Sequence, residues 1–269
     1  TDSAEMMRRP YDEAAKSVPI IGIDSSANST AFSSFLTTDN EQGGRIAAYG
    51  LAAAIKADLP TWRARIAELA LAHPTATEDA IGWMIVEELS VKAAALLHPT
   101  FVEHRGRNGR LSVQTDPRLH RDVDGLIAQA VHFASLAENI IVKIPATAAG
   151  IAAIEEVTYR GVSINATVSF TVPQALAVGE AVENGLRRRE AEGLDVSTMG
   201  PVCTIMVGRL DDWMKVAAEQ ADVTLDPGYY EWAGVAAMKK AYALYTERGY
   251  RTRLLSAAFS SFAVPLAWR

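Results

Sequence analysis

The sequence predicts an α/β fold and, within that class, a (β/α)8 TIM barrel that is irregular or incomplete at its N- and C-terminal ends. An open doubly wound sheet is the alternative. Three observations carry this reading. From about residue 60, helical patterns alternate strictly with short apolar strands, and such alternation gives parallel strands joined by helical crossovers. The chain has 269 residues, 49% of them hydrophobic, which suits one barrel and supplies a large core. No linker, low-complexity run or fixed-period repeat divides it, so residues 1–269 read as one domain. No G-x-G-x-x-G or Walker A run follows a strand, which weakens the nucleotide-binding form of the open sheet.

The elements follow in order. "PTWRARIAELALA" spaces Trp62, Ile66, Leu69 and Leu71 at roughly helical period. "TATEDAIGWMIVEELSVKAAALL" opens with Thr75 and Glu78 at capping-box spacing and carries Ile81, Ile85, Leu89 and Leu96 on one face. Strands are expected at 109–115, 139–146, 161–170, 201–207 and 250–259, with helices at 116–137, 147–160, 171–193, 208–221 and 228–249.

Composition excludes several functions. The net charge is −6 and the pI about 5.5, against the basic clustering that nucleic acid requires. The basic run at 187–189 is followed at once by "EAE" and reads as a solvated helix end. Cys203 is the only cysteine, so no internal disulfide can form, and a reducing, cytoplasmic setting is expected. No apolar stretch nears the roughly 18 residues of a membrane span. Residues 1–16 are charged, without a signal-type apolar core.

Side chains alternate along strands. Ile141 and Lys143 therefore oppose Ile140, Val142 and Ile144; Ser163, Asn165 and Thr167 oppose Ile164, Ala166 and Val168. Ser112 and Gln114 oppose Leu111 and Val113, while Thr204 and Met206 oppose Cys203, Ile205 and Val207. In a barrel the polar stripe points inward, near the C-terminal mouth where such folds build their sites. Burial lowers a lysine's pKa, and a neutral amine can form a Schiff base with a ketone. The lysine can equally reach solvent from a strand end or pair with a buried carboxylate; Asn165 and Thr167 can equally be structural groups capping loops. The alternation leaves these readings open.

The run "VKIPATAAGIAAIEEVTYRGVSINATVSFTVPQA" at 142–175 resembles the central signature of the transaldolase family. It has the lysine in K-I-P-A-T, then G-I-x-A-I, then N-A-T before F-x-x-x-Q-A. "VGRLDDW" resembles the family's strand-six end and "RLSVQTDPRLHRD" its strand-three segment, so the likeness covers about residues 60–260. It implies a class I aldolase-type barrel acting on sugar phosphates, with no metal and no organic cofactor. Lys143 would be the Schiff-base lysine, and Asn165 would bond the donor's hydroxyls. Thr167 would help hold a catalytic water, Thr204 would line the donor pocket, Met206 would occupy a position that is aromatic in many members, and Met206 and Ser256 would be substrate-binding. Arg209 would grip a phosphate through its forked donors.

Three departures matter. Gln114 stands where many transaldolases carry an acid–base glutamate, as in the fructose-6-phosphate aldolase subgroup, which releases a free ketone. Ser260 stands where the family's second phosphate arginine falls. At the start, "PIIGIDSSANSTAF" offers Asp24 as the acid–base aspartate and Asn28 as the strand-two asparagine, with Asp2 and Asn40 as alternatives. At the other end "AVPLAWR" is left to supply strand eight, and an unfinished rim would favour a homo-oligomer. Three functions follow: transfer of a dihydroxyacetone unit between sugar phosphates, aldol cleavage releasing dihydroxyacetone, or a non-catalytic sugar-phosphate binder.

Overall fold

Parallel pairing dominates the sheets in the computed structural model, which describes residues 20–23, 32–36, 59–224, 226–230 and 232–258. Strand β1 (Ile20–Ile23) pairs parallel with β2 (Phe32–Leu36). Helices α1 (Leu59–Ala72) and α2 (Glu78–Glu103) follow. Then come β3 (Leu111–Gln114), α3 (Val123–Leu136), β4 (Ile140–Pro145), α4 (Ala148–Tyr159), β5 (Ile164–Ser169), α5 (Val172–Ala191) and β6 (Val202–Met206). Helices α6 (Val207–Gln220), α7 (Pro227–Tyr230) and α8 (Ala233–Arg248) lead to β7 (Arg253–Ala257). The five later strands form one sheet in sequence order, β3-β4-β5-β6-β7. Consecutive β/α units in that order are what a run of a (β/α)8 barrel contains.

The chain divides into two compact units. One is Leu59–Ile205 with Ala237–Leu255; the other includes Met206–Ala236 and the stretch from Ser256 onward. In the first, one sheet face is apolar. Ile140, Val142, Ile144, Ile164, Ala166 and Ile205 are buried there, as the strand alternation predicts. Phe133, Leu126, Ile154, Val157, Val178 and Val182, from α3, α4 and α5, are buried as well. Each such side chain contributes roughly 1.5–3 kcal/mol.

Polar clamps fix the ends of these elements. Asn139, 1% exposed, donates through Nδ2 to the carbonyls of Ala94 and Gly109 at 2.8 and 3.0 Å, while its own carbonyl accepts from Leu111 N. This sets β3 against β4. Glu183, buried on α5, accepts from Arg251 N at 2.7 Å and Arg251 Nη2 at 3.0 Å, which holds the approach to β7. The basic helix end also works between elements. Arg188 pairs with Glu155 and Glu156 and lies 4.1 Å over the Tyr159 ring; Arg189 donates to the Tyr159 carbonyl.

Several boundaries differ from the sequence expectation. The cap of α2 is Thr77, whose hydroxyl accepts from Ala80 N, rather than Thr75. That helix runs on through Pro99, and Leu96 is 82% exposed, so the apolar cluster shared with α1 ends with Leu89, although Ala94 beyond it is buried. Ile66 and Leu71 of α1 are exposed too. The expected helix at 116–137 is a 3-10 turn (Pro117–Leu119) and then α3, because Asp122 caps Gly125 N and restarts it. The expected helix at 228–249 is likewise split into α7 and α8.

One glycine is dictated by a close approach. A Cβ on Gly150 would lie 1.7 Å from the Pro145 carbonyl oxygen, because Thr147 caps α4 tightly against the end of β4. Gly150→Ala should therefore destabilise the protein by at least ~3 kcal/mol. Urea unfolding of the purified variant checks this, and an unchanged midpoint would contradict the close approach.

Candidate active site

The sheet's other face carries a row of polar groups, and the strand register assembles it. Gln114 on β3 is aligned with Lys143 on β4, and Lys143 with Asn165 on β5. Aligned residues of neighbouring parallel strands share a face. On β6, Thr204 Oγ1 donates to Asn165 Oδ1 at 2.7 Å. That bond orients the amide, so that Asn165 Nδ2 faces Ser112 Oγ at 3.4 Å. Four strands thus supply Gln114, Lys143, Asn165 and Thr204 to one band. Thr167, aligned with Pro145, sits two residues further along β5. Lys143 is 6% exposed, Asn165 4%, Thr167 1% and Thr204 0%, whereas Gln114 is exposed.

The backbone under the lysine is held from β3. Its carbonyl oxygen receives Thr115 N at 3.1 Å, Thr115 Oγ1 at 3.2 Å and Gln114 Nε2 at 3.0 Å. Gln114 also faces the Thr115 carbonyl. Its amide is therefore folded onto backbone and fixes the lysine's strand. Thr115 was not among the residues expected at the site. Its contribution runs through a carbonyl, and strand alternation alone does not expose it.

β5 ends irregularly. Its pairing with β6 shifts between Ala166 and Ser169, and Val168 has φ 54°. A β-branched residue in that region is strained by roughly 1–2 kcal/mol. Val168 therefore leaves the apolar face on which alternation placed it and is 36% exposed, while Ser169 takes the buried position. Gln174 stabilises the kink. Its Nε2 faces the Val168 carbonyl at 3.2 Å and the Ala146 carbonyl at 3.4 Å, and its Oε1 accepts from Phe170 N at 3.1 Å. Thr171 and Gln174 complete a capping box on α5. The strand bearing Asn165 and Thr167 is thus tied to the end of the strand bearing Lys143.

The remaining candidates fall elsewhere. Met206 closes β6 and is 5% exposed. The helix begins at Val207, one residue before the expected Gly208, and Arg209 on it pairs with Asp212 at 3.0 Å. Ser256 is on β7 and partly buried. Met206, Arg209 and Ser256 belong to the second compact unit. Asp24, Asn28 and Ser260, with the alternatives Asp2 and Asn40, lie outside the described residues. Cys203 opposes the polar row, and burial pushes its thiol up to about 11, which leaves it unreactive. Among the described residues no helix is long and apolar enough to cross a membrane.

Parallel β/α units with a buried lysine amid amides and hydroxyls define an α/β protein whose candidate site is built on strands rather than loops. The family model for transaldolase/fructose-6-phosphate aldolase matches residues 52–263, and the chain belongs to that family, whose fold is a (β/α)8 barrel. It is 33% identical over 185 residues to a protein named Transaldolase 1 from Streptomyces avermitilis, covering 68% of this chain and 48% of that one. A transaldolase from Mycobacterium ulcerans is 33% identical over 186 residues, 68% of this chain and 49% of the relative. One from Mycobacterium leprae is 35% identical over 166 residues, 60% and 44%. The chain spans about half the length of the curated relatives it matches. A solved solute-binding protein of a carbohydrate transporter from Agrobacterium radiobacter, in complex with D-arabinose, aligns at 20% identity with a TM-score of 0.17, too low to bear on fold.

Two consequences are testable. Thr204→Val removes the donor to Asn165 Oδ1 and leaves a buried acceptor unpaired, so stability should fall by about 1–3 kcal/mol; calorimetry reads this directly. Asp116, 7% exposed, accepts from Arg118 N, Nε and Nη2 beyond β3. The Arg118 guanidinium holds its carboxyl below the usual range. A depressed carboxylate contributes stability above its unfolded pKa near 4 and loses it as pH falls through the lower folded value. Asp116→Asn should therefore lower stability at pH 7 by ~1–3 kcal/mol and flatten the acid limb below pH 4. Identical acid profiles for the two proteins would refute the assignment.

Proposed function

We propose that the chain carries transaldolase-type chemistry: transfer of a dihydroxyacetone unit between sugar phosphates through a Schiff base on Lys143. The single observation supporting this is the buried Lys143 held between Gln114 and Asn165, with Thr204 orienting the latter. An amine kept from water is disfavoured as ammonium and so suited to attack a ketone.

In this reading the neutral Nζ adds to the C2 carbonyl of a ketose phosphate, and loss of water leaves a protonated imine. A base removes the proton of the C4 hydroxyl, for which Asp24 is the candidate. The C3–C4 bond breaks, its electron pair passes to the imine as an enamine, and an aldehyde phosphate leaves. The enamine carbon then attacks a second aldehyde, whose oxygen takes up the proton. Hydrolysis finally returns the lysine. Asn165 would bond the donor's hydroxyls, Thr167 would hold the water, Thr204 and Met206 would line the donor pocket, and Arg209 would hold the acceptor's phosphate. The whole acts without metal or organic cofactor, in the cytoplasm.

One observation favours a second reading. Gln114 cannot titrate, and its amide is committed to the Lys143 carbonyl. That favours aldol cleavage with release of dihydroxyacetone over transfer. Fructose 6-phosphate given with and without erythrose 4-phosphate separates the two, since free dihydroxyacetone formed without acceptor means cleavage. A protein that binds sugar phosphate without turnover would form neither product. Borohydride with fructose 6-phosphate should fix the three-carbon or six-carbon unit on Lys143, read by peptide mass spectrometry, and Lys143→Ala should lose at least ~10³-fold in turnover. An unlabelled Lys143 in active protein would end the Schiff-base reading.

A further inference from the structure

Away from the Lys143 band, the N-terminal edge of the same sheet holds a cavity of about 380 Å³. Its lining includes Arg110 just before β3, Ile140 at the start of β4, Ser163 just before β5 and Thr198 ahead of β6. Parallel strands bring all of these to one edge. Lys143 is three residues further along β4, roughly 10 Å away at the rise of a strand.

Two guanidinium groups meet at this edge. A Cβ on Gly200 would lie 3.3 Å from Arg110 Nε and 3.5 Å from Arg253 Nη2, so both groups border one point. Arg110 is braced. Its Nε donates to the Gly106 carbonyl at 2.8 Å, its Nη2 to the Thr198 carbonyl at 2.6 Å, and its Cζ lies 4.9 Å over the Phe101 ring. Arg253 Nη1 donates to the Arg107 carbonyl at 3.1 Å. Among the described residues no carboxylate pairs with either arginine. Nη1 of Arg110 and Nε and Nη2 of Arg253 have no acceptor there. The one acid lining the cavity, Glu138, is 2.5 Å from His98 Nε2.

Like charges set side by side repel. Partial burial, and then the Arg253 charge, lower the pKa of Arg110; Arg253 is exposed as a residue, and partial desolvation of its guanidinium, then Arg107, lower its pKa. Among the described residues, two cations are thus held together with carbonyl braces and no counter-charge. An oxyanion would relieve the repulsion, and free guanidinium forks match phosphate in a bidentate manner. The apolar lining from Phe101, Ile140 and Val162 suits a short carbon chain.

We propose that this edge of the sheet binds a phosphate group, gripped by Arg110 and Arg253 beside Gly200, as inorganic phosphate or as the head of a small phosphomonoester. The site is distinct from any sugar-phosphate site at the Lys143 band. Its test is a titration of the purified chain with inorganic phosphate at constant ionic strength, chloride being the balancing anion. Phosphate should raise the melting temperature in wild type, and equally in Arg209→Ala, which removes the phosphate grip proposed for the active site. Affinity measured by calorimetry should fall tenfold or more in Arg253→Gln and by less in Arg253→Lys. In chloride alone, Arg253→Gln should melt at or above the wild-type temperature, because the repulsion is gone; a melting point several degrees lower would overturn the like-charge argument. Phosphate and chloride acting alike, or both Arg253 variants binding phosphate as wild type does, would overturn the site. Glycerol 3-phosphate binding more tightly than phosphate identifies the phosphomonoester as the natural occupant, and the reverse order identifies free phosphate.

Discussion

An ammonium group cannot be taken from water without a cost of several kcal/mol, and the position of Lys143 makes that constraint central. Every residue of β4 is buried. The strand's register neighbours at the lysine are Gln114 and Asn165, both neutral amides. An amide at each place can both donate and accept a hydrogen bond. The apolar residues on the opposite face of β4, packed under the helices, hold the strand in register with both.

Besides the Thr204–Asn165 pair, the precision of the row comes from bonds to backbone carbonyls. Three donors reach the Lys143 carbonyl from β3, and Gln174 reaches carbonyls beyond β4 and near the end of β5. The strained Val168 lies between these anchors. A residue held in a disfavoured backbone region persists only where its surroundings over-determine it. Here the capping box of α5 does so. The kink turns Ser169 inward while Asn165 and Thr167, before the kink, keep the alternation of a regular strand. Strain is thus placed just past the residues that must share a face, and a longer regular strand would have carried a second apolar residue where the chain instead turns to the helix.

The alternation of strands and helices was legible because each inward face is a period-two or period-3.6 pattern with few interruptions. The polar stripe was legible for the same reason, since Lys143, Asn165 and Thr204 each stand among apolar neighbours. What was not legible depends on tertiary partners. Thr75 and Thr77 both offer a cap, and only the path of the loop selects Thr77. Leu96 keeps helical period with Ile81 and Ile85, yet the apolar cluster formed with α1 ends before it. The kink at Val168 has no local signal, because nothing in valine favours a positive φ; it follows from Gln174, six residues on. The paired arginines at the strand N-termini come from positions 110 and 253, and no periodicity links residues so far apart.

The balance between transfer and release, within the proposed chemistry, rests on what reaches the enamine carbon first. Both outcomes consume one proton, taken up by carbon in release and by the new alkoxide in transfer. The proton count alone therefore does not choose between them. What differs is how long an acceptor aldehyde stays near the nucleophilic carbon, and for a phosphorylated acceptor that depends on the phosphate grip. Arg209, the candidate for that grip, has Asp212 3.0 Å from its Nη1. An incoming phosphate must compete with this carboxylate for the guanidinium fork, which weakens the acceptor's hold relative to an arginine with both edges open. With fewer strong contacts the acceptor's residence shortens, and protonation from water gains over carbon–carbon bond formation. The pairing at Arg209 and the amide at Gln114 thus act in the same direction, although one lies on α6 and the other on β3.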